Sequence, residues 1–259
     1  MGFFGKWLGG GLGFAVGGPI GGLLGFLVGS MIDGTTIHTS TYTSGTARTS
    51  QGDFGMSLLV LVAAVMKADG KVVKSELNYV KQFFIRQFGQ ESAKQALLML
   101  KDILKQEIPI RDVCLQIKGN MDYSSRLQLL HLLFNVSLAD SVIHPSEIQI
   151  IEKISSYLGV ASGDFLSIKN MFIPETHSSY KILEIDPSSS NEEVKKAYRK
   201  MAMKYHPDKV SHLGDDIRKS ADEKFTRVNQ AYEKIKKERN MNWSVKLKKT
   251  SDMKPTLQF

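Results

Sequence analysis

The tripeptide His206-Pro207-Asp208 separates two amphipathic helical patterns and therefore constrains how the C-terminal region folds. Proline fixes φ and disfavours helical geometry in the residue before it, so the first helix ends at this point. On both sides, apolar residues recur every three or four positions, which places them on one face of a helix. They are Val194, Ala197, Tyr198, Met201, Ala202 and Tyr205 before the tripeptide, and Phe225, Val228, Ala231, Tyr232 and Ile235 after it. The pattern predicts an antiparallel helical hairpin with an exposed loop at the bend.

The helix before the tripeptide carries its positive charges on the face opposite the apolar one. Ser190 and Glu193 have the spacing of a capping box, which marks the start of this helix. Lysines on an exposed helix face raise the rate of association with an acidic partner. A rigid proline loop loses little entropy on docking, and the carboxylate of Asp208 suits a charge-assisted hydrogen bond to an arginine. The region is thus predicted to dock on another protein.

Four segments around the tripeptide resemble, in order and spacing, the J domain of DnaJ-type proteins. They are residues 180–185, 197–202, 205–209 and 225–232, within a domain expected over residues 177–239. The resemblance implies that this region docks on a DnaK-type chaperone and triggers its ATP hydrolysis. It also implies that His206, Pro207 and Asp208 form the trigger. The candidate docking charges are Lys195, Lys196, Arg199, Lys200, Lys204 and Lys209.

At the other end of the chain, residues 7–32 form an uncharged run of 26 residues, ten of them glycine. As a helix this run would be about 39 Å long, enough to cross a hydrocarbon core of about 30 Å. Ten glycines would disfavour a helix in water by about 10 kcal/mol relative to alanine. In lipid, by contrast, the backbone must satisfy its own hydrogen bonds. The sequence therefore predicts a transmembrane anchor within residues 1–32, with a signal peptide as the less favoured alternative.

Glycine recurs at every fourth position of this run. The repeat includes Gly9, Gly13, Gly17, Gly21, Gly25 and Gly29. Small residues at this spacing let a second helix approach closely, which favours a homodimer within the bilayer. An anchor without a helix partner is the alternative.

Two polar segments lie outside the predicted domains. Residues 33–54 hold ten serines and threonines among 22 positions and are expected to be a linker. Residues 240–259 form a basic tail, which we expect to be solvated, with a membrane surface or nucleic acid as alternative contacts. Residues 176–259 hold 19 lysines and arginines against 12 acids, so the net charge of +8 belongs mostly to the C-terminal region. The single cysteine, Cys114, excludes an internal disulfide and is expected to be buried.

The central region, residues 55–173, is predicted to be helical throughout and contains an internal repeat. Residues 68–76 align without gaps onto residues 139–147, and each copy leads from one helix through a short loop into the next. This pattern resembles the TerB-like all-α family, known from tellurite resistance. An N-terminal span, a TerB-like domain and a C-terminal J domain, in this order, resemble membrane-anchored J proteins of the DjlA type. The fold class is therefore all-α.

The repeated loops carry acidic residues that suggest a divalent-cation site. If pseudo-symmetry brings the loops together, the carboxylates of Asp69, Glu76, Asp140 and Glu147 would suit calcium or magnesium. The favoured alternative is that these acids cap helix N-termini. His131 is expected to be a hydrogen-bonded core or interface residue. No cofactor is required by any motif in the chain.

The sequence predicts a membrane-anchored co-chaperone that stimulates a DnaK-type ATPase and couples it to clients or signals recognised by the central domain. No nucleophile–base pair or phosphate-binding loop is visible, so the chain is not expected to be an enzyme. Because the chaperone needs ATP, we expect a single-pass protein of the bacterial inner membrane with its domains in the cytoplasm. The alternative is a metal- or stress-responsive adaptor in which the TerB-like domain is the main functional unit. Nucleic-acid binding is the least favoured function.

Overall fold

The computed structural model of this chain describes residues 18–21, 51–68 and 70–241, with the backbone alone at 51–53. Every regular element in these ranges is helical, which confirms the all-α fold class. The helices from residue 51 onward are α1 (Gln51–Met66), α2 (Lys74–Ile103), α3 (Ile110–Asn120), α4 (Tyr123–Ser137), α5 (Pro145–Tyr157), α6 (Ser162–Phe172), α7 (Ser178–Ile182), α8 (Asn191–Lys204), a 3₁₀ helix (Pro207–Leu213) and α9 (Asp215–Glu238).

Helices α1 and α4 form the centre of the central domain, α1 to α6. From Leu58 to Met66, α1 is apolar almost all round and buried, as expected for a helix in the interior of a bundle. Helices α2, α3, α4 and α5 all contact α1, and α6 packs against α4. At the start of α4, the Asp122 carboxylate accepts a hydrogen bond from the Ser125 backbone N–H at 2.9 Å. This bond satisfies one of the N–H groups that a helix N-terminus leaves unpaired.

The internal repeat has the same local geometry in both copies. Glu76 accepts from the backbone N–H of Val73 at 3.1 Å, just before α2. Glu147 accepts from the backbone N–H of His144 at 2.8 Å, just before α5. Both glutamates are buried, and each fixes the angle at which the chain enters a helix. Helix α2 also kinks at Gly89, whose φ of 81° is a left-handed conformation that favours glycine.

The C-terminal domain, α7 to α9, contains the predicted hairpin. The capping box at the start of α8 is formed, because Ser190 Oγ accepts from Glu193 N and Glu193 Oε2 accepts from Ser190 N. Between α8 and α9, the rings of Tyr198 and Tyr232 stack with centroids 4.2 Å apart. Tyr198 also donates its hydroxyl to Asn229 at 3.0 Å. These contacts hold the two helices together, with the tripeptide at the bend.

The described N-terminal residues form a single helical turn beside the central domain. The turn covers residues 18–21. Gly18 has a φ of 62°, and the Ile20 backbone N–H donates to Gln116 Oε1 at 2.9 Å. Within the described ranges, no helix has both the length and the apolar character to span a bilayer. The rest of the predicted span, including all of its repeated glycines except Gly21, lies outside the described residues.

We expect Phe134→Ala to lower the free energy of unfolding by about 3–5 kcal/mol, because it leaves a cavity in the core. Phe134 is fully buried in α4 and stacks on Phe172 with ring centroids 5.3 Å apart. Chemical denaturation followed by helical circular dichroism would measure the change in full-length protein in detergent. Tyr157→Ala is the matched control, because Tyr157 is 36% exposed at the end of α5. Equal losses for both variants would contradict the assignment of this core.

Candidate functional site

The loop formed by residues 206–208 is held in one conformation by its own hydrogen bonds. His206 precedes the 3₁₀ helix, and its Nδ1 faces the Asp208 backbone N–H at 3.3 Å and Asp208 Oδ2 at 3.4 Å. Pro207 occupies the first helical position, where its missing N–H leaves no bond unmade. The Lys209 backbone N–H donates to the His206 carbonyl at 3.1 Å, and Ser211 Oγ donates to the Asp208 carbonyl at 2.9 Å.

Exposure differs sharply among the three residues of the 206–208 loop. Pro207 is buried, the side chain of Asp208 is 76% exposed, and that of His206 is 27% exposed. The His206 ring also meets the Phe225 ring edge-on, with centroids 5.6 Å apart. The loop therefore presents the Asp208 carboxylate to solvent on a prearranged backbone, with the imidazole set back against α9.

The structure places the predicted docking charges in three environments. Lys196, Arg199 and Lys200 are exposed along α8, and Lys209 is exposed after the loop. Lys195 pairs with Glu192 of the same helix at 2.8 Å. Lys204, at the end of α8, is instead half-buried in a cluster with two carboxylates that lie far from it in the sequence. The exposed cations thus form the accessible part of the basic face.

Asp164, in the first turn of α6, is the centre of that cluster. Its Oδ1 accepts from Lys204 Nζ at 2.5 Å and from the Tyr205 hydroxyl at 3.0 Å. Its Oδ2 accepts from the Tyr123 hydroxyl at 2.6 Å. Burial opposes ionisation, but the hydrogen bonds from Lys204 and Tyr123 prevail and hold the pKa of Asp164 below its usual value. Glu184 accepts from the same Lys204 ammonium at 3.0 Å, so two carboxylates share one lysine.

The predicted cation ligands have local hydrogen-bonding roles in the structure. Glu76 and Glu147 bond to the backbone before α2 and α5, and Asp140 Oδ1 accepts from the Val142 N–H at 3.0 Å. Asp69 lies outside the described residues. Among the residues that the structure describes, no group of three or more histidine, cysteine or acidic side chains is arranged to hold a metal ion. The assignment of these four acids as metal ligands stays a prediction.

His131 lies where α4 meets α9, in keeping with the expected core or interface position. Its Nδ1 is 3.3 Å from Ser220 Oγ and 3.2 Å from Asn135 Nδ2. Complete burial, together with the charges of Lys224 and Arg227, lowers the pKa of His131 well below its usual value. Cys114 is also buried, and burial raises the pKa of its thiol to about 12, so the thiolate is disfavoured.

Comparison with known proteins gives three family models that match this chain in order. The model of the co-chaperone DjlA transmembrane domain matches residues 1–50. The model of the tellurite resistance protein TerB matches residues 56–170, and that of the DnaJ domain matches residues 178–243. No solved structure matches the chain.

Curated relatives cover either most of the chain or the C-terminal domain alone. Co-chaperone protein DjlA of Vibrio parahaemolyticus is 27% identical over 224 residues, which are 72% of this chain and 78% of that protein. Co-chaperone protein DjlA of Vibrio vulnificus is 28% identical over 229 residues, 73% of this chain and 79% of that protein. Chaperone protein DnaJ of Fusobacterium nucleatum is 54% identical over 54 residues, 21% of this chain and 14% of that protein.

The long matches extend beyond the J domain and therefore include the central domain. The three family models match in the same order as the N-terminal segment, the central helices and the C-terminal hairpin with its 206–208 loop. The chain belongs to the membrane-anchored DnaJ-like co-chaperones of the DjlA type, with a TerB-like central domain and a C-terminal J domain.

Proposed function

We propose that this co-chaperone binds a DnaK-type chaperone through the 206–208 loop and the exposed basic face of α8, and so stimulates ATP hydrolysis by that partner. The observation that carries the proposal is the fixed loop, which presents Asp208 to solvent directly after the helix that exposes Lys196, Arg199 and Lys200. The chain itself is proposed to have no catalytic activity. Its contribution is binding energy, delivered at a site that controls the ATPase of the partner.

Loop and helix face have different tasks in this mechanism. A loop that is already ordered pays little entropy when it docks, so more of the contact energy remains for shifting the partner towards its hydrolytic state. The cations of α8 act at longer range and accelerate encounter with an acidic surface, an effect that salt screens. Asp208, as an exposed carboxylate, suits a bidentate bond to an arginine of the partner.

We expect the double variant Lys196→Glu, Lys200→Glu to slow association with the chaperone at least tenfold at low salt, because it reverses two charges on the docking face. The difference from wild type should shrink as salt rises towards 0.5 M. Surface plasmon resonance with the full chain in detergent and immobilised chaperone would measure both effects. Lys153→Glu, an exposed site on α5 of the central domain, is the control. Equal association rates for the double variant and the control would contradict the docking face.

The membrane anchor sets where this activity takes place. ATP is available in the cytoplasm, so we propose a single-pass protein of the bacterial inner membrane whose central and J domains face the cytoplasm. Trypsin added to inside-out vesicles would then digest both domains, whereas trypsin added to spheroplasts would leave them intact. We further propose that the glycine repeat pairs two anchors and that the central domain recognises a client or signal.

A further inference from the structure

We infer that the central domain holds the J domain in a docked position that covers one flank of the 206–208 loop, and that release from this position gives the chaperone fuller access. The inference rests on the proposed function, because access matters only if a chaperone binds this loop. Asp164 is then the central-domain residue whose hydrogen bonds hold the J domain in place.

The first set of contacts joins α6 to the end of α8, immediately before the loop. Asp164 of the central domain accepts hydrogen bonds from Lys204 and Tyr205 of the J domain. Lys204 is one of the charges predicted to meet the chaperone, but here its ammonium already has two carboxylate partners. A partner carboxylate must therefore displace Asp164 before Lys204 contributes to docking.

The second set of contacts lies beside His206 itself. Ser124 and Leu127 of α4 line a cavity of about 10 Å³ together with Lys204, Tyr205 and His206. The cavity has the size of a single water molecule. On this side α4 therefore lies next to the imidazole, whose side chain is 27% exposed. Undocking would open that flank of the ring.

The third set of contacts joins α4 and α6 to α9 through polar groups. Lys224 is buried and donates to Gln128 Oε1 at 3.0 Å, and its ammonium lies 4.9 Å from the centre of the Tyr205 ring. The Arg227 guanidinium lies over the Phe172 ring, 4.9 Å from its centre, and donates to the carbonyl of Met171. The loop flank is therefore held by side-chain hydrogen bonds and cation–π contacts.

An interface of this composition favours reversible docking. Gln128 Nε2 and His131 Nε2 are buried without a hydrogen-bond partner among the described residues, which opposes their burial. Burial also lowers the pKa of Lys224 to about 7 despite the nearby charge of Asp164, so docking disfavours its ammonium form. Polar contacts between domains of one chain are typical of interfaces that open. Near the linker 173–177, by contrast, Ser167 Oγ donates to the Ile182 carbonyl in a buried contact, so opening would pivot there.

The variant Asp164→Asn tests this docked arrangement, in the full chain held in detergent micelles. Asparagine keeps the shape but removes the one carboxylate charge that the central domain places on Lys204. Two measurements are needed: hydrogen exchange of residues 204–213, and the chain concentration that gives half-maximal stimulation of a DnaK-type ATPase. We expect faster exchange in this segment and a roughly threefold to tenfold lower half-maximal concentration. Glu152→Gln, an exposed site on α5 with the same charge change, should alter neither quantity.

A second variant keeps the inference testable if Asp164→Asn does not fold. Arg227→Met removes a separate contact with the central domain, outside the predicted docking charges, and should act in the same direction. Unchanged exchange in both variants, with normal helical content, would overturn the docked arrangement. Faster exchange with an unchanged or higher half-maximal concentration would overturn the masking. If the wild-type chain and both variants neither bind nor stimulate the chaperone although exchange increases, the proposed function fails while the docking contact stands.

Discussion

Replacement of His206 by glutamine is expected to reduce stimulation of the DnaK-type ATPase at least tenfold without unfolding the chain. Glutamine retains one donor and one acceptor, but it lacks the flat ring that packs edge-on against Phe225 and bonds back to the loop. A tenfold change corresponds to about 1.4 kcal/mol of transition-state stabilisation in the partner, about the contribution of one hydrogen bond. Single-turnover hydrolysis at saturating chain concentration would measure the rate.

His212→Gln is a matched control for this experiment. His212 lies in the 3₁₀ helix that His206 precedes, its side chain is 24% exposed, and its Nε2 is 3.8 Å from Asp122 Oδ2 of the central domain. Because this contact belongs to the docked interface, the control should keep stimulation at or above the wild-type level. Equal stimulation by His206→Gln and wild type would reject the assignment of the loop. An equal loss in both histidine variants would point to the 3₁₀ helix as a whole.

The hairpin of the J domain was predictable because its signals are local. Apolar spacing defines the facing sides of α8 and α9, Ser190 and Glu193 mark where α8 begins, and Pro207 ends it. Each of these features depends on residues a few positions apart. The conformation of the 206–208 loop follows from the same short range, because its hydrogen bonds join near neighbours.

The docked interface was not predictable, since neither its central carboxylate nor its buried lysine stands out in the sequence. Asp164 lies in the first turn of α6, where an acidic residue is common because it favours the positive end of the helix dipole. From the sequence pattern alone, Lys224 would be expected to be a solvated lysine beside the apolar face of α9. Their roles arise only when residues 40 or more positions apart come together. His131, among the leucines of α4, was the one hint of an interface.

Docking of the J domain is expected to weaken as pH falls from 9 to 7. Docking lowers the pKa of Lys224 to about 7 by burial, whereas the undocked side chain would regain a value near 10.5. The undocked form therefore takes up a proton first, and each pH unit in this window shifts the equilibrium against docking by about 1.4 kcal/mol, or tenfold. Below pH 7 the contribution of Lys224 levels off, and His131, whose pKa is also lowered, acts in the same direction below 6.5.

Three other titratable groups at the interface, Tyr205, Asp164 and Lys204, do not change charge between pH 7 and 9. Burial and the charge of Asp164 raise the pKa of Tyr205 well above its usual value, so Tyr205 opposes docking only above about pH 10. Asp164, whose pKa is lowered, stays charged throughout this window. Lys204, held by Asp164 and Glu184, has a raised pKa and stays charged throughout. Between pH 7 and 9, the proton linkage of docking thus reports mainly on Lys224.

Hydrogen exchange of residues 204–213 between pH 7 and 9, corrected for the intrinsic exchange rate, would measure this linkage in the full chain. The double variant Lys224→Met, Gln128→Met replaces both buried partners by apolar groups of similar length, so docking should become tighter and lose its pH dependence. Lys234→Met, at an exposed position of the same helix, should retain the wild-type slope. A wild-type segment whose corrected exchange is constant across this range would show that Lys224 is not desolvated by docking. Because tighter docking also shields His206, the double variant should need more chain than wild type for half-maximal stimulation at pH 7, opposite to the effect of Asp164→Asn.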